Sequence, residues 1–495
     1  MVLASIGVVL ALVVLVVLAY RGHSVIIAAP IAALVGVLFS GAPLMASYTQ
    51  IFMPAAGNFV TTFFPLFLVG AVFGGLMSVS GYADQLATWI SRLVGAKRAI
   101  LATAIATALL TYGGISAWVI AFTIVPIAKI LFREAGIPRR LMPAAIALGI
   151  FTFATAALPG SPQIHNTIPT KYFGTTTYAA PILGIIGAIV TFILGMAWLE
   201  YRTRKLIAAG EIYDESEDAG DSIDSAVADA EHAIDDAERE KIEVPPHVLA
   251  TLSPSGRPDR DTTLKGLQGL FPVLVVVGMN LLFTYVISKH MDFDYLAEEK
   301  FGATTLSALL GTWSVIIAMV TAIIVMFIMN PRNFTTYVKG LSDGAKNAVV
   351  PALTTASEVG FGAVIASLAV FAAFQSHLFD VSDNPVIIGT VATAIISGLT
   401  GSSSGGLSIT LASFGDQLSQ LAHDQGISLE LLHRTIAMAS VSFDSLPHNG
   451  AIVTLLLVCG MSHRKAYKDI GMVTILAPLI GVLVVMGLGA VMPTM

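Results

Sequence analysis

Apolar runs long enough to cross a bilayer recur along the whole chain, and short polar segments separate them. A helix of about 20 residues covers the ~30 Å hydrocarbon core. The pattern predicts an all-α polytopic membrane protein, since helices satisfy their own backbone groups in lipid. The predicted spans are 3–20, 25–40, 63–80, 141–175, 178–199, 267–288, 305–329, 347–374, 431–460 and 470–492.

Two further apolar segments do not fit a simple crossing. Residues 99–131 have basic segments on both sides, whereas residues 385–421 have acidic segments on both sides. Positively charged loops stay in the cytoplasm, so each segment should enter and leave the membrane on one side. Each is predicted to be a re-entrant hairpin, with a Gly- and Ser-rich tip at 111–116 or 400–406.

A set of short motifs occurs twice in the chain. Gly-Gly-Ile-Ser at 113–116 recurs as Gly-Gly-Leu-Ser at 405–408, and His165-Asn166 recurs as His448-Asn449. The loop around Gly136 is basic, while the matching loop around Gly426 is acidic. These features predict two inverted repeats, each with five spans plus one re-entrant hairpin, and both termini outside.

The repeats and the segment between them define the predicted domains. The first repeat covers 1–205, an acidic cytoplasmic linker covers 206–263, and the second repeat covers 264–495. Residues 211–243 hold 14 acidic and 2 basic side chains, against a formal net charge of −6 for all 495 residues. The remainder is therefore basic, which suits either an anionic ligand or cytoplasmic positive loops alone.

Two predicted spans, 141–175 and 431–460, are interrupted helices. Pro159 and Pro162 break the first, and the segment from Ser445 to Gly450 breaks the second. Breaks at membrane depth persist only where protein or a water-filled cavity satisfies the freed backbone groups. We therefore expect the two breaks and the two hairpin tips to converge on one polar site.

The polar residues at these four places are the candidate site residues. Half-helix N-termini and hydroxyl groups suit a carboxylate ligand, although the serines would also serve simply to cap the turns. Ionisable groups within a membrane are costly, so they are candidates for proton coupling, although Asp444 would also serve as a helix cap. The predicted substrate-binding residues are Ser116, Ser161, Gln163, His165, Asn166, Ser402, Ser403, Ser404, Ser445, His448 and Asn449, and the predicted proton-coupling residues are Asp444, His448 and Glu358. His433 and Arg434 are predicted to be anchors near the outer boundary.

Other kinds of chemistry find little support in the sequence. The chain has no Walker-type P-loop, no C-x-x-C and no H-E-x-x-H motif, so we expect no ATP hydrolysis, no cofactor, no metal site and no nucleic-acid partner. An intramembrane serine hydrolase remains an alternative, because Ser402–Ser404 and His448 all lie at membrane depth. The sequence shows no ring of charged residues that would indicate a channel.

Three motifs carry a resemblance to a known family. The segments 157–166, 401–406 and 444–450 resemble the gluconate permease (GntP-type) family within the ion transporter superfamily, and the third is closest to the D-β-hydroxybutyrate permease branch. The resemblance implies proton-coupled uptake of a small hydroxy-monocarboxylate across a bacterial inner membrane, by a non-enzymatic homodimer. The Ser-Asn-Thr sodium motif of dicarboxylate relatives is absent at both breaks. Sodium-coupled carboxylate transport on the same fold stays open as the alternative.

Overall fold

The computed structural model describes residues 2–21, 23–213, 258–368, 382–447 and 449–492, and its regular elements are all helices. Eighteen helices are numbered below in chain order, and each range includes any π-helical turn that continues the helix. They are α1 Val2–Tyr20, α2 Val25–Ser40, α3 Leu44–Val79, α4 Tyr82–Val94, α5 Ala99–Tyr112, α6 Ala117–Glu134, α7 Met142–Ile150, α8 Phe153–Ala156, α9 Ile164–Phe173, α10 Pro181–Ala208, α11 Arg260–His290, α12 Leu306–Met329, α13 Phe334–Ser367, α14 Pro385–Thr400, α15 Ser403–Asp424, α16 Leu429–Phe443, α17 Gly450–Val458 and α18 His463–Val491.

Within the described residues, six helices are long and apolar enough to cross a membrane. They are α3, α10, α11, α12, α13 and α18. Helices α1 and α2 are apolar but shorter over their described stretches, Ser5–Leu18 and Val25–Ser40. The all-α polytopic class is thus confirmed, while the inverted orientation of the two repeats stays a prediction.

The region around α3 and α4 differs from the predicted spans. Helix α3 begins at Leu44 rather than near residue 63, because polar residues such as Gln50 and Asn58 lower its hydropathy without breaking the helix. A wider turn at Tyr48–Phe52 precedes Pro54, which has no N–H to donate. The amphipathic helix α4 occupies the segment between the predicted span 63–80 and the first hairpin, where no helix was predicted, and it packs against α11.

Both predicted hairpins are present as pairs of packed helices, α5 with α6 and α14 with α15. Helices α5 and α14 have 14 and 16 residues, so at ~1.5 Å per residue both are shorter than the hydrocarbon core. The repeated Gly-Gly motif, however, is not structurally equivalent. Gly113 and Gly114 form the first tip, whereas Gly405 and Gly406 lie inside α15, and the second tip turns at Gly401 instead.

The two interrupted helices are also present. The first is divided into α7, α8 and α9, and the second into α16 and α17. The second part of each broken helix packs against the hairpin of the other half, α9 on α15 and α17 on α6. This exchange brings residues from both halves together where the breaks occur.

Several of the remaining helices also pack against helices of the other half. Helix α3 packs along α13, and α10 packs along α18. Helix α2 contacts α13, and α12 contacts α3. The first two pairs join helices at matching positions in the two halves, and the last two contacts are reciprocal, which is the pattern that a duplicated unit produces.

The ends of the acidic linker are fixed to different elements, while residues 214–257 lie outside the described residues. Glu211 forms an ion pair with Arg140 at 3.4 Å, and the Arg133 guanidinium lies 5.6 Å from the Tyr213 ring centre. Asp259 accepts a hydrogen bond from the Thr262 amide and begins α11. Hydrogen bonds from Thr262 lower the pKa of Asp259, as expected for a helix-capping carboxylate.

Candidate functional site

The first break is fixed to the tip of the first hairpin. The Gln163 side-chain amide donates to the carbonyl oxygens of Thr111 at 2.7 Å and Ile115 at 3.3 Å. Ser116 begins α6 and makes no capping hydrogen bond with its hydroxyl. The tip and the break therefore form one unit, in which backbone oxygens freed by the turn accept from Gln163.

Asn166 and Ser161 hold the first break from within. The buried Asn166 amide donates to the carbonyls of Ser161 at 2.9 Å and Thr177 at 2.8 Å. The Ser161 hydroxyl donates to the Ala154 carbonyl at 2.9 Å. These side chains are placed at the break as predicted, but their polar atoms are bonded to protein, and their contact with a ligand stays a prediction.

The Arg434 side chain extends from α16 to the first break. It is 0% exposed, and its guanidinium donates to the carbonyls of Ala156, Thr177 and Ala179 and to the Asn166 side-chain oxygen, at 2.7–3.2 Å. The prediction that Arg434 is an interfacial anchor is wrong, because other helices surround α16 on all sides at this point. His433 is also 0% exposed, and its Nδ1 lies 2.7 Å from the Thr175 hydroxyl, so the same prediction is wrong for His433.

The second break repeats one hydrogen bond of the first. Asn449 donates to the Asp444 carbonyl at 2.9 Å, as Asn166 donates to the Ser161 carbonyl, in each case five residues back. Asn449 also begins α17 by accepting from the Ile452 amide at 3.0 Å. Ser161 and Asp444 thus occupy corresponding places. His448 lies outside the described residues, so its predicted roles stay predictions.

The second hairpin tip holds a buried carboxyl group. The Ser402 hydroxyl donates to Glu358 Oε2 at 2.8 Å and accepts from the Gly405 amide at 3.1 Å. A Cβ at position 405 would collide with Glu358 Oε2, so glycine is required for the carboxyl group to approach. The Ser404 hydroxyl lies 3.4 Å from the Thr355 hydroxyl, also on α13.

One hydrogen bond joins the two halves at this tip. The Ser403 hydroxyl lies 2.7 Å from His165 Nε2, so the second hairpin meets the first break directly. Asp444 accepts from the Ser445 hydroxyl at 3.0 Å. The structure thus brings the second hairpin tip and the first break together, while the predicted roles of these residues stay predictions.

Glu358 and Asp444 have hydroxyl partners in place of cationic ones. Both are 4% exposed, and neither forms a salt bridge within the part of the chain that the structure describes. A carboxylate buried without a cation costs several kcal/mol. A proton or a bound cation is the partner that such groups require.

Sequence reasoning missed two other features. Arg202 on α10 binds Asp469 on α18 at 2.7 and 3.2 Å, and the Trp198 indole donates to the same carboxyl at 3.0 Å. Tyr467 donates to the Ser445 carbonyl at 3.0 Å and so braces the second break. Their signal was an amphipathic stretch at 463–471, in which Asp469 falls on the buried face.

Comparison with known proteins agrees with this architecture. The sequence model of the GntP family permeases matches residues 1–231. Over 464 residues, the chain is 39% identical to the Bacillus subtilis (strain 168) uncharacterized transporter YxjC, covering 92% of this chain and 93% of that protein. The chain belongs to the GntP family of permeases. It is therefore a multi-pass membrane transporter, as the motifs at the breaks predicted.

Two further similarities are more distant. An uncharacterized transporter of Haemophilus influenzae is 29% identical over 165 residues, covering 33% of this permease and 37% of that protein. The crystal structure of the Alcanivorax borkumensis YdaH transporter, reported to have an unusual topology, superposes with a TM-score of 0.52. It covers 88% of this permease and 87% of that chain at 16% identity, so the similarity shows a shared fold.

Proposed function

We propose that this permease is a secondary active transporter that couples uptake of a small hydroxy-monocarboxylate to protons. The observation that carries the proposal is the contact of Ser403 with His165, which joins a hairpin tip of one half to the break of the other. Substrate and proton would meet at this junction. Residues 444–450 resemble the D-β-hydroxybutyrate permease branch, which favours 3-hydroxybutyrate (β-hydroxybutyrate) or a gluconate-like acid as substrate.

Alternating access explains why the site is divided between the two halves. A site built from both hairpins and both breaks changes its exposure when the bodies that carry them move against the long helices, such as the α3–α13 pair. We place the permease in a bacterial inner membrane, as a homodimer with both termini outside. The buried Glu358 and Asp444 are the candidate proton carriers, together with His448.

The first experiment is uptake into proteoliposomes containing the purified permease. The panel is 3-hydroxybutyrate, gluconate, lactate, citrate and D-serine, with an inward proton gradient. We expect one hydroxy-monocarboxylate to accumulate, and a protonophore to abolish accumulation. Uptake that follows a sodium gradient and resists the protonophore would favour the sodium-coupled alternative.

The second experiment replaces a candidate proton carrier. Asp444→Asn keeps the size and hydrogen-bonding capacity of the side chain but cannot take up or release a proton. We expect normal expression and loss of proton-driven accumulation. Normal accumulation by this variant would remove Asp444 from the coupling mechanism.

The alternative function from a different class of protein is that of an intramembrane serine hydrolase. Ser403 beside His165 is the observation that keeps this alternative in view. A hydrolase would consume an ester or amide substrate in detergent, where no gradient exists. Turnover in detergent without gradient-driven accumulation would favour it.

A further inference from the structure

The carboxyl group of Glu358 extends from the long helix α13 to the start of α15. Its Oε2 accepts from the Ser402 hydroxyl at 2.8 Å, and Ser402 caps α15 by accepting from the Gly405 amide at 3.1 Å. A Cβ at Gly405 would lie 2.7 Å from the Glu358 carboxyl carbon, so the carboxyl group lies directly against the first turn of the helix. A carboxyl side chain of the permease itself thus occupies a place where a helix N-terminus favours an anion.

This carboxyl group is buried but has few partners. Glu358 is 4% exposed, and Ser402 is its one hydrogen-bond partner among the described residues, which also supply no cation to it. An ionised carboxylate can accept about four hydrogen bonds, so most of its capacity is unused here. A carboxyl group with a single hydrogen bond can be displaced from its place once it loses its charge.

The first half shows that a long helix can pack on a hairpin tip without an acidic residue. Helix α3, which matches α13, has no acidic residue along its length. It passes the start of α6 with Gly74, where an added Cβ would lie 3.5 Å from the Ser116 nitrogen. The packing of helix on hairpin therefore does not explain Glu358, and a role in function does.

We propose, on the basis of the carboxylate uptake inferred above, that Glu358 occupies the anion position at the start of α15 until it takes up a proton, and that the substrate carboxylate then replaces it. Two carboxylates at one helix N-terminus repel each other, so the substrate is excluded while Glu358 is ionised. When a proton from solution bonds to a carboxyl oxygen of Glu358, the Ser402 hydroxyl becomes free to donate to the substrate. The position carries one negative charge before and after the exchange, and it gains one proton with each anion.

Few other ionisable groups lie on the helices around Glu358. Helices α2, α3 and α15 pack against α13. Helix α2 has no ionisable residue and α3 has Tyr48 alone, while His165 on α9 contacts Ser403. On α13 itself, Lys346 is more than three turns from Glu358. The ionisable residues of α15 lie more than three turns beyond its start, and they are Asp416, His423 and Asp424.

The test is the uptake of protons on binding, measured with the full-length permease in weakly buffered detergent solution containing a pH-indicator dye. The probe is 3-hydroxybutyrate, added over a range of starting pH values. At high pH we expect the wild type to take up about one proton for each anion bound, because only its protonated form binds. Glu358→Gln is neutral at every pH and should bind without taking up a proton. Glu134→Gln makes the same change at an exposed position and should behave like the wild type.

The dependence of affinity on pH distinguishes this role from a purely structural one. We expect wild-type affinity to fall by about tenfold for each pH unit above the pH at which Glu358 ionises. Glu358→Gln should bind equally well across the range, and more tightly than the wild type at high pH, whereas loss of a structural contact would weaken binding at every pH. Wild-type binding without proton uptake at every pH would overturn the proposal, whatever the variant does.

Acetate, as the simplest carboxylate, is a second probe that separates this proposal from the proposed function. If uptake of a hydroxy acid is proton-coupled but Glu358→Gln still takes up a proton on binding, the role of Glu358 is refuted while the proposed function stands. If no hydroxy acid is taken up, but acetate binds with one proton in the wild type and with none in Glu358→Gln, the proposed function fails and the role of Glu358 stands. Binding of neither carboxylate would overturn both.

Discussion

At the scale of single residues, the partners of the buried acids set two of them apart. Asp469 is buried, but Arg202 and Trp198 hold it in place, as in a structural ion pair. Glu358 and Asp444 are held by serine hydroxyls. A hydroxyl can donate to an ionised carboxyl or accept from a protonated one, so either charge state has a partner. This versatility is what a proton carrier needs.

The close approach of Glu358 to α15 leads to a test of position. Gly405→Ala places a methyl group against the Glu358 carboxyl and 3.0 Å from Ser402 Oγ. Overpacking of this kind costs about 1–3 kcal/mol, so the working geometry is populated roughly 5- to 150-fold less. We expect uptake in proteoliposomes to fall by a factor in that range with little change in expression.

The control for this substitution is Gly278→Ala on α11, where an added Cβ has nothing within 4 Å. Gly278→Ala should transport like the wild type. Unimpaired uptake by Gly405→Ala would show that the spacing between Glu358 and the hairpin is unimportant.

Arg434 leads to a prediction about stability. Arg434→Met removes the donors that Arg434 supplies to the carbonyls of Ala156 and Ala179 and to the Asn166 side-chain oxygen. The Thr177 carbonyl keeps its hydrogen bond from Asn166. Each buried acceptor left without a partner costs about 1–3 kcal/mol, so we expect destabilisation of roughly 3 kcal/mol or more. The measurement is the thermal unfolding midpoint in detergent, which should fall by several degrees.

Arg332→Met at an exposed position is the matched control and should leave the midpoint unchanged. Equal midpoints for the two variants would contradict the structural role of Arg434.

Composition alone isolates some residues, although the roles predicted for them stay predictions. Glu358 and His165 stand out because they are ionisable within apolar sequence, and the structure places each beside a serine of the second hairpin. The position of Arg434 could not be predicted. Its nearness in sequence to an acidic loop suggested a surface, and only the tertiary packing of α16 shows that it is enclosed.

At the scale of helices and turns, glycine and proline marked the interruptions correctly. The breaks at Pro159 and near Pro447 are present, as are both hairpin tips. The repeated Gly-Gly motif misled, because α15 has 22 residues and α6 has 18, which shifts one copy of the motif into a helix. Equivalence is better defined by structure, since Ser116 and Ser402 both precede the second helix of their hairpin.

The orientation of the hairpins can be tested chemically. In a Cys459→Ser background, a cysteine replaces Glu134 or Asp424, which are exposed residues near the ends of α6 and α15. We chose these positions because Gly136 and Gly426 have positive φ angles of 64° and 66°, which disfavour side chains.

A membrane-impermeant maleimide should label position 134 only from the cytoplasm and position 424 only from outside. The charge of the neighbouring loops is the reason for this expectation. Labelling of both positions from the same side would refute the inverted repeats.

At the scale of the whole molecule, the exchange of α9 and α17 between the halves determines how the chain holds together. Each of these helices packs on the hairpin of the opposite half. The Arg434 hydrogen bonds and the contact of His165 with Ser403 also cross between the halves. The parts that form the site are therefore shared, although the linker separates them in sequence.

This sharing predicts the behaviour of a divided chain. Residues 1–213 and 258–495, expressed separately, should each be degraded or aggregate, because each exposes surfaces that the other covers. Expressed together, they should associate and restore uptake, since the site contacts described above all join residues outside 214–257. Uptake by either fragment alone would contradict this prediction. The absence of uptake when both fragments are present together in the membrane would contradict it as well.

The crossed packing of α9 and α17 also has an evolutionary consequence. A protein built from only one of these units would leave its hairpin without the helix that covers it. On the predicted inverted repeats, such an ancestor would have needed a second copy of itself, inserted in the opposite orientation, to complete each hairpin. Fusion of the two copies would then have joined two separate molecules in one chain.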